Sequence, residues 1–201
     1  MIYVVGDSHT AIFKNDPAFK VVEIAGTAHN LIDFKSTSNS HQKLQELINS
    51  MDKKCDLLML VFGETDCRFH IYYQAKKRVV SICDIIDETV FRYLEALEWI
   101  RDNHVDAIVL GIPPVGTYDR FEFDVPGKPY APPETLTKIY KEFNKRMKKT
   151  CEGNAYIYLD IYSKTADEKG FLKKEYAADA VHLNLNAKPL ILEMLKKELA
   201  K

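Results

Sequence analysis

The sequence predicts an α/β protein in which helices cover both faces of a parallel five-stranded sheet, a three-layer α/β/α architecture. Two observations lead to this prediction: five short apolar runs recur along the chain, and segments with helical periodicity separate them. Apolar runs without polar alternation are typical of strands buried on both faces. Regular alternation of strand and helix favours parallel strands joined by helical crossovers. Since one composition holds throughout, we expect a single domain over residues 1–201.

The apolar runs have the length of strands, and the segments between them have the spacing of amphipathic helices. A short run of aliphatic and aromatic residues predicts a buried strand. The five runs are Ile2–Val5, Lys20–Ile24, Asp56–Phe62, Asp106–Ile112 and Ala155–Ile161. Apolar residues three or four positions apart predict a helix with one buried face. The groups with this spacing are Leu44, Leu47, Ile48 and Met51; Val90, Tyr93, Leu94, Leu97 and Ile100; Leu136, Ile139, Tyr140 and Phe143; and Leu190, Leu192, Met194 and Leu195.

The segment from Gly111 to Pro133 predicts a long loop, because glycines and prolines are concentrated in it. A loop of this length in a compact domain is usually functional. The basic run from Lys138 to Lys149 follows it, and we expect these charges on the solvent side of an amphipathic helix.

Composition and charge exclude several classes of protein. Hydrophobic residues make up 46% and charged residues 28% of the 201 residues, which is typical of a globular protein. The formal net charge of -1 lacks the basic excess of a dedicated nucleic-acid-binding protein. No apolar stretch approaches the roughly 18 residues that a membrane-spanning helix needs. We therefore expect neither a nucleic-acid nor a membrane partner.

The cysteines and the first residues predict a cytoplasmic protein. The N-terminal apolar run stops at Gly6 and Asp7, too early for a secretory signal. Four scattered cysteines in such a chain are expected to be reduced thiols. Neither the cysteines nor the histidines have the spacing of metal ligands, so we expect no metal and no cofactor. The cysteines are Cys55, Cys67, Cys83 and Cys151.

Polar clusters follow the predicted strands at one edge of the sheet, where α/β proteins bind ligands. Ser8 follows the first strand, Gly26 the second and Thr65 the third, while Asp179 and His182 precede the last helix. A serine becomes a strong nucleophile when a histidine takes its proton and a carboxylate orients that histidine. These residue types therefore predict a triad of Ser8, His182 and Asp179, with backbone amides at Ser8 and Gly26 as oxyanion donors.

These motifs resemble the SGNH or GDSL family of hydrolases along the whole chain. The Gly-Asp-Ser block matches residues 6–8, and the Asp-x-x-His block matches Asp179 and His182. Gly26 is the match for the oxyanion glycine of the second block. The resemblance implies a flavodoxin-like sheet, for which we expect the strand order 2-1-3-4-5. It also implies hydrolysis of small esters, often acetyl esters of carbohydrates.

The third block departs from the family pattern Gly-x-Asn-Asp. The chain has Thr65 at the position of the oxyanion asparagine, within Gly63-Glu64-Thr65-Asp66. Loss of one oxyanion donor costs about a hundredfold to a thousandfold in turnover. We therefore include Thr65, Asp66 and Arg68 among the oxyanion and substrate-binding candidates. Arg68 suits a carboxylate or phosphate group, and Asp66 has the alternative of holding loops together through backbone amides.

Three functions remain open from the sequence. The first is a serine esterase that hydrolyses small acyl, mainly acetyl, esters of a small molecule or a carbohydrate. The second is an acyltransferase to a sugar hydroxyl, in which the loop from Gly111 to Pro133 shields the acyl-enzyme from water. The third is a binding module for a carbohydrate or a partner, in which Thr65 marks a lapsed site. His9 is expected to support the site or contact substrate, and the oligomeric state is left open.

Overall fold

A computed structural model describes residues 1–116 and 131–201, and it contains a five-stranded parallel sheet. The strand order β2-β1-β3-β4-β5 confirms the expected 2-1-3-4-5 topology. Every neighbouring pair is parallel, so the carboxyl ends of all five strands lie at one edge. The strands are β1 Ile2–Gly6, β2 Phe19–Glu23, β3 Leu57–Val61, β4 Asp106–Leu110 and β5 Ile157–Leu159.

Helices cover both faces of the sheet, as the apolar runs predicted. Helices α1 to α4 pack on one face and form the larger core, whereas the 3-10 helix Ser8–Phe13 packs with α5 and α6 on the other. Alternate residues of β1 enter the two cores, with Val5 on the first face and Val4 on the second. The α-helices are α1 Ser40–Ser50, α2 Ile71–Arg78, α3 Ile82–Asp102, α4 Pro133–Gly153, α5 Ile161–Thr165 and α6 Lys188–Leu199.

The centre of the sheet positions the first polar cluster. Strand β1 pairs with β2 and β3 at once, and Gly6 stands opposite Glu23 and Val61. A Cβ on Gly6 would lie 2.2 Å from the carbonyl oxygen of Val61, so this close approach requires glycine. The residues that follow Gly6 are consequently delivered to the carboxyl edge beside the end of β3.

The strands β1 to β4 lie within one or two residues of the predicted runs, whereas β5 and α2 depart further from the prediction. Strand β5 covers only Ile157–Leu159, because Ala155 has a left-handed backbone (φ 59°) and the Asp160 side chain caps α5 by accepting the Ser163 amide. Helix α2 was not predicted from the sequence. It continues a helical segment that starts at Glu64 and passes through a π-helical turn at Asp66–His70.

The predicted loop from Gly111 to Pro133 is only partly covered by the structure. Residues 111–116 form neither helix nor strand, and α4 begins at Pro133, where proline is favoured. Residues 117–130 lie outside the described residues, and with them the proposed shielding of an acyl-enzyme. The lysines of α4 face outward, because its apolar residues fill the core. Among the described residues, no helix is long and apolar enough to cross a membrane.

Candidate active site

His182 lies within hydrogen-bonding distance of both other residues of the predicted triad. The Ser8 hydroxyl oxygen is 2.8 Å from Nε2 of His182. On the other side of the ring, Nδ1 of His182 is 2.7 Å from a carboxylate oxygen of Asp179. When Nδ1 carries the ring proton and donates to Asp179, Nε2 presents its lone pair to the Ser8 hydroxyl. That tautomer gives Ser8 a base for its proton.

The Asp179 carboxylate is held by the loop that contains it. Its other oxygen accepts the backbone amides of Val181 at 2.9 Å and of His182 at 2.8 Å. Burial on its own raises the pKa of Asp179, but these amides and the His182 ring outweigh it, and the pKa lies below its ordinary value. Asp179 is therefore an anion at neutral pH, with 54% of its side chain exposed.

Long-range backbone contacts hold the loop that contains His182. The Gly116 amide, which follows β4, donates to the carbonyl of Ala180 at 2.7 Å. Within the loop, the Ala178 amide donates to the His182 carbonyl at 2.9 Å, and Ala177 forms an antiparallel bridge with Leu183. The role of Gly116 was missed at the sequence level, since nothing in a glycine-proline-rich segment indicates which distant carbonyl it meets.

The N-terminal side of the site is organised by Asp7. This residue caps the 3-10 helix Ser8–Phe13 by accepting the His9 amide at 3.0 Å, which places Ser8 in the first turn. The same carboxylate oxygen lies 2.8 Å from Nδ1 of His9. The buried His9 ring also packs on His182, with ring centroids 4.6 Å apart. The sequence indicated a supporting or substrate contact for His9, but its partners were not predicted.

The oxyanion candidates lie around an open cleft of about 570 Å³ that Ser8, Gly26 and Thr65 line together. The Gly26 amide donates to the carbonyl of Ile24 at 2.8 Å, so this donor already has an acceptor. The Thr65 hydroxyl donates to Asp7 at a long 3.4 Å. Ser8 and Thr65 both lie in first turns of helical segments, where backbone amides have no intrahelical acceptor. Further polar residues of the cleft are Thr27, Asn30, Ser36, Thr37, Ser38 and His70.

Asp66 has buried partners in place of a substrate contact. Its side chain accepts the backbone amides of Ala28 at 2.7 Å and His29 at 3.3 Å, and the residue is only 1% exposed. Burial raises the pKa of Asp66 to about 7, although the two amides oppose the shift. Asp66 therefore joins the loop after β2 to the helical segment after β3. The structural alternative expected from the sequence was a connection between this segment and the loop that contains Ser8.

Arg68 is likewise not a substrate clamp in this structure. Its Nε lies 3.0 Å from Oε1 of Glu64, and its guanidinium lies over the Phe69 ring at 4.4 Å. The Tyr140 hydroxyl donates to the same Glu64 oxygen at 2.6 Å. Since the Glu64 side chain is 2% and that of Arg68 11% exposed, the charge of Arg68 balances a buried carboxylate.

In the described part of the chain, no group of three or more histidine, cysteine, aspartate or glutamate side chains is placed to hold a metal ion. The four cysteines are unpaired, with Cys67 and Cys151 buried and Cys55 and Cys83 exposed.

Comparisons with known proteins identify the fold. No protein-family model and no curated protein matches this chain. Among solved structures, it is similar to a GDSL-like lipase from Bacteroides thetaiotaomicron (15% identity, TM-score 0.61, 99% of this chain and 87% of that one). It is also similar to phospholipase A1 from Streptomyces albidoflavus (14%, 0.56, 98% of each chain) and to the OSK domain of Drosophila Oskar (12%, 0.58, 98% and 87%). The chain therefore has an SGNH/GDSL hydrolase-like fold.

Proposed function

We propose that this protein is a serine-type carboxylic-ester hydrolase in which Ser8, His182 and Asp179 form the catalytic triad. The observation that supports the proposal is the continuous chain of hydrogen bonds from Ser8 through His182 to Asp179, which opens onto a cleft. Three residues from opposite ends of the chain meet in the order that nucleophilic catalysis needs. The fold alone does not establish turnover, so this geometry is the basis of the proposal.

In the first half-reaction, the Ser8 hydroxyl oxygen attacks the carbonyl carbon of the ester. As the new bond forms, the hydroxyl proton moves to Nε2 of His182, and the carbonyl electrons move onto the oxygen. The imidazolium that results is stabilised by the Asp179 carboxylate 2.7 Å away. Collapse of the tetrahedral intermediate breaks the bond to the alcohol, which takes the proton from His182 and leaves an acyl-Ser8.

In the second half-reaction, water takes the place of the alcohol. His182 accepts a proton from the water as its oxygen attacks the acyl carbon, and then returns that proton to the Ser8 oxygen. The products are the free acid and the original enzyme. In both halves the oxyanion is expected to bind backbone amides of the first helical turns at Ser8 and Thr65. The Gly26 amide joins them once it turns from its present acceptor, Ile24.

The lining of the cleft supports a polar ester, with a small acyl group such as acetyl on a carbohydrate or similar alcohol. Hydroxyl and amide side chains face the space beside Ser8, including those of Asn30, Ser36 and Ser38. Such groups can both donate and accept hydrogen bonds, as recognition of sugar hydroxyls requires. The cleft is open, so an alcohol much larger than the acyl group can remain outside it.

A second candidate function is a binding module that retains the site without turnover. The observation in its favour is that two of the expected oxyanion donors already have acceptors within the protein. The Gly26 amide donates to the Ile24 carbonyl, and the Thr65 hydroxyl donates to the Asp7 carboxylate. Without these donors, the intermediate would lose much of its stabilisation. In that case the polar cleft would bind a carbohydrate or a partner that is not converted.

The test is intact-mass analysis after treatment with a small fluorophosphonate, which reports an activated serine independently of the natural acyl group. We expect one adduct on the wild-type protein, mapping to Ser8, and none on Ser8→Ala. Ser38→Ala is the matched control, because Ser38 lines the same cleft but its hydroxyl contacts another serine, Ser36, at 2.9 Å.

This labelling experiment separates an activated Ser8 from a lapsed site. An adduct that persists in Ser38→Ala and disappears in Ser8→Ala supports Ser8 as the nucleophile, and release of free acid in place of acylated sugar then separates the hydrolase from an acyltransferase. Hydrolysis of nitrophenyl acetate and of an acetylated sugar by the same variants then tests the acyl group. A folded wild-type protein that gains no adduct contradicts the hydrolase and favours the binding module, for which carbohydrate binding by Ser8→Ala is the next measurement.

A further inference from the structure

His9 occupies a buried position between the two loops that contribute the triad. Only 6% of its side chain is exposed, and its ring lies against that of His182 at a 33° interplanar angle. It stands next to Ser8 in the sequence, yet Nε2 of its ring is 3.1 Å from the carbonyl oxygen of Val181, in the C-terminal loop. His9 therefore bridges the start of the chain and the residue that precedes His182.

Both ring nitrogens of His9 face oxygen atoms that can only accept. Nδ1 is 2.8 Å from a carboxylate oxygen of Asp7, which also accepts the backbone amide of His9. Nε2 faces the Val181 carbonyl, which has no proton to donate. A neutral imidazole has one N–H and would leave one nitrogen lone pair against an oxygen lone pair. The imidazolium donates to both oxygens and satisfies the geometry.

The charges around His9 stabilise this cation. Asp7 contributes one carboxylate and Glu64, from the helical segment after β3, a second, which Arg68 partly balances. The C-terminal loop contributes His182 and, beyond it, Asp179. The other residues that line a pocket beside His9, from the ends of β3 and β4 and the neighbouring loops, are uncharged. The carboxylates of Asp7 and Glu64 thus both favour the imidazolium.

We propose that His9 is a positioning residue that, as a buried imidazolium, fastens the loop carrying His182 to the loop carrying Ser8. The proposal deepens, and for its kinetic consequences rests on, the proposed hydrolase function. A bond at the Val181 carbonyl fixes the backbone directly before His182, and therefore the distance from Nε2 of His182 to the Ser8 hydroxyl. His9 has no contact with the reacting atoms in this role.

This positioning role of the His9 imidazolium predicts that the alignment of His182 with Ser8 is lost at alkaline pH. Burial lowers the pKa of His9, but the hydrogen bond with Asp7 and the charges of Glu64 and Asp7 outweigh it, and the pKa lies above its ordinary value of 6.5. The two-sided contact is present below that raised pKa and is lost as the pH increases through it. The Asp7 carboxylate retains the last proton at Nδ1, so the bond to Val181 is the one that disappears.

The first experiment reads the protonation state directly. Long-range ¹H–¹⁵N spectra of the full-length protein, with His9→Gln used to assign the ring, report whether each nitrogen carries a proton. We expect both His9 nitrogens to be protonated at pH 6.5 and to titrate above it, and the His182 resonances to shift in His9→Gln. A neutral His9 ring at pH 6.5 would overturn the proposal. This result does not depend on Ser8 reactivity.

The second experiment measures the rate of fluorophosphonate labelling from pH 6 to 10. At neutral pH we expect His9→Gln to react about 10- to 100-fold more slowly than wild type, because misalignment of this kind has costs of that order. As the pH rises and His9 loses its proton, the labelling rate of wild type should approach that of His9→Gln. The variant itself should not show this loss of rate. His104→Asn is the control, since His104 is exposed and precedes β4, at the opposite edge of the sheet.

A third variant separates positioning from simple structural support. Asp7→Asn keeps the size of the side chain but removes the charge that stabilises the imidazolium, so the alkaline decline should move to lower pH. Unchanged rates and an unchanged pH profile in His9→Gln and Asp7→Asn would contradict the proposal. An unreactive wild-type Ser8 would instead contradict the hydrolase function, while the spectra would still decide the state of His9.

Discussion

Two polar clusters lie at the same edge of the sheet and differ in what surrounds them. The outer cluster consists of Ser8, Asp179 and His182, and the inner cluster of Glu64, Asp66 and Arg68. The Asp179 side chain is 54% exposed, and its carboxylate is hydrogen-bonded to His182, which in turn is hydrogen-bonded to the Ser8 hydroxyl. The carboxylates of the inner cluster are almost completely buried, each with fixed donors.

This difference separates reactive groups from structural ones. A buried charge is tolerated when its partners are permanent, and its removal then costs folding free energy. A group that faces a cleft can change protonation state during a reaction without disturbing the core. We therefore expect changes in the outer cluster to affect labelling and turnover, and changes in the inner cluster to affect the free energy of unfolding.

The largest effect is expected for Asp179→Asn, which removes the charge that orients His182. Reactivity of Ser8 should fall by about 10²- to 10⁴-fold, because His182 loses its preferred tautomer and its imidazolium loses a counter-charge. Rates of fluorophosphonate labelling measure this. The loss of unfolding free energy is expected to be about 1 kcal/mol or less, because the asparagine oxygen can still accept the Val181 and His182 amides. Because the pKa of Asp179 lies below its ordinary value of 3.8, the carboxylate that orients His182 is ionised at neutral pH, where the rates of the two proteins are compared.

Arg68→Met should produce the largest loss of stability. The change leaves the buried Glu64 carboxylate without its cation, which is expected to cost about 3 kcal/mol of unfolding free energy. Arg92→Met is the matched control: Arg92 forms an ion pair with Glu95 at 3.0 Å, but its side chain is 44% exposed. That pair should contribute less than about 1 kcal/mol. Equal losses in the two variants, measured by chemical denaturation, would contradict the distinction.

Asp66→Asn should change how stability depends on pH. The pKa of Asp66 is raised to about 7 from 3.8, so between these values the folded protein holds a proton that the unfolded chain has released. The stability contributed by that proton falls as the pH rises, by up to about 1.4 kcal/mol per pH unit. Asparagine has no such proton. The stability of wild type relative to Asp66→Asn should therefore decrease between pH 4.5 and 7; a constant difference would show that Asp66 is not protonated in the folded state.

The smallest effect is expected for Thr65→Val. This variant retains the backbone amide in the first helical turn and removes only the hydroxyl, whose bond to Asp7 is long at 3.4 Å. Labelling of Ser8 should change by less than about threefold if the amide is the oxyanion donor. A hundredfold loss would identify the hydroxyl as the donor in place of the amide.

Much of the fold was predictable from the sequence, because strands and helices have different apolar periods. Continuous runs such as Leu57–Val61 form strands that are buried on both faces of the sheet. The apolar residues spaced three or four apart in α4 form its buried face, as predicted. The order of the strands was also predicted correctly. The shortening of β5 was not, because it depends on the backbone of Ala155 and on a cap formed by Asp160.

The sequence predicted which residues form the candidate site better than it predicted the contacts that these residues make. The proximity of Ser8, His182 and Asp179 follows the motifs, although their catalytic role stays a prediction. The partners of Asp66 and Arg68 were not expected. A single carboxylate or guanidinium in a sequence gives no indication of which distant amide or side chain will meet it.

The sequence by itself determined the strands, the helices and the residues delivered to the carboxyl edge of the sheet, because burial and periodicity are local and repeated signals; the strand order was expected from the resemblance of its motifs to a known family. Only the tertiary structure decided which of those residues face the cleft and which are enclosed. It also placed both nitrogens of His9 against acceptors, one from Asp7 and one from Val181 at the far end of the chain. Protonation states and pairings depend on neighbours distant in sequence, and only folding brings those neighbours together.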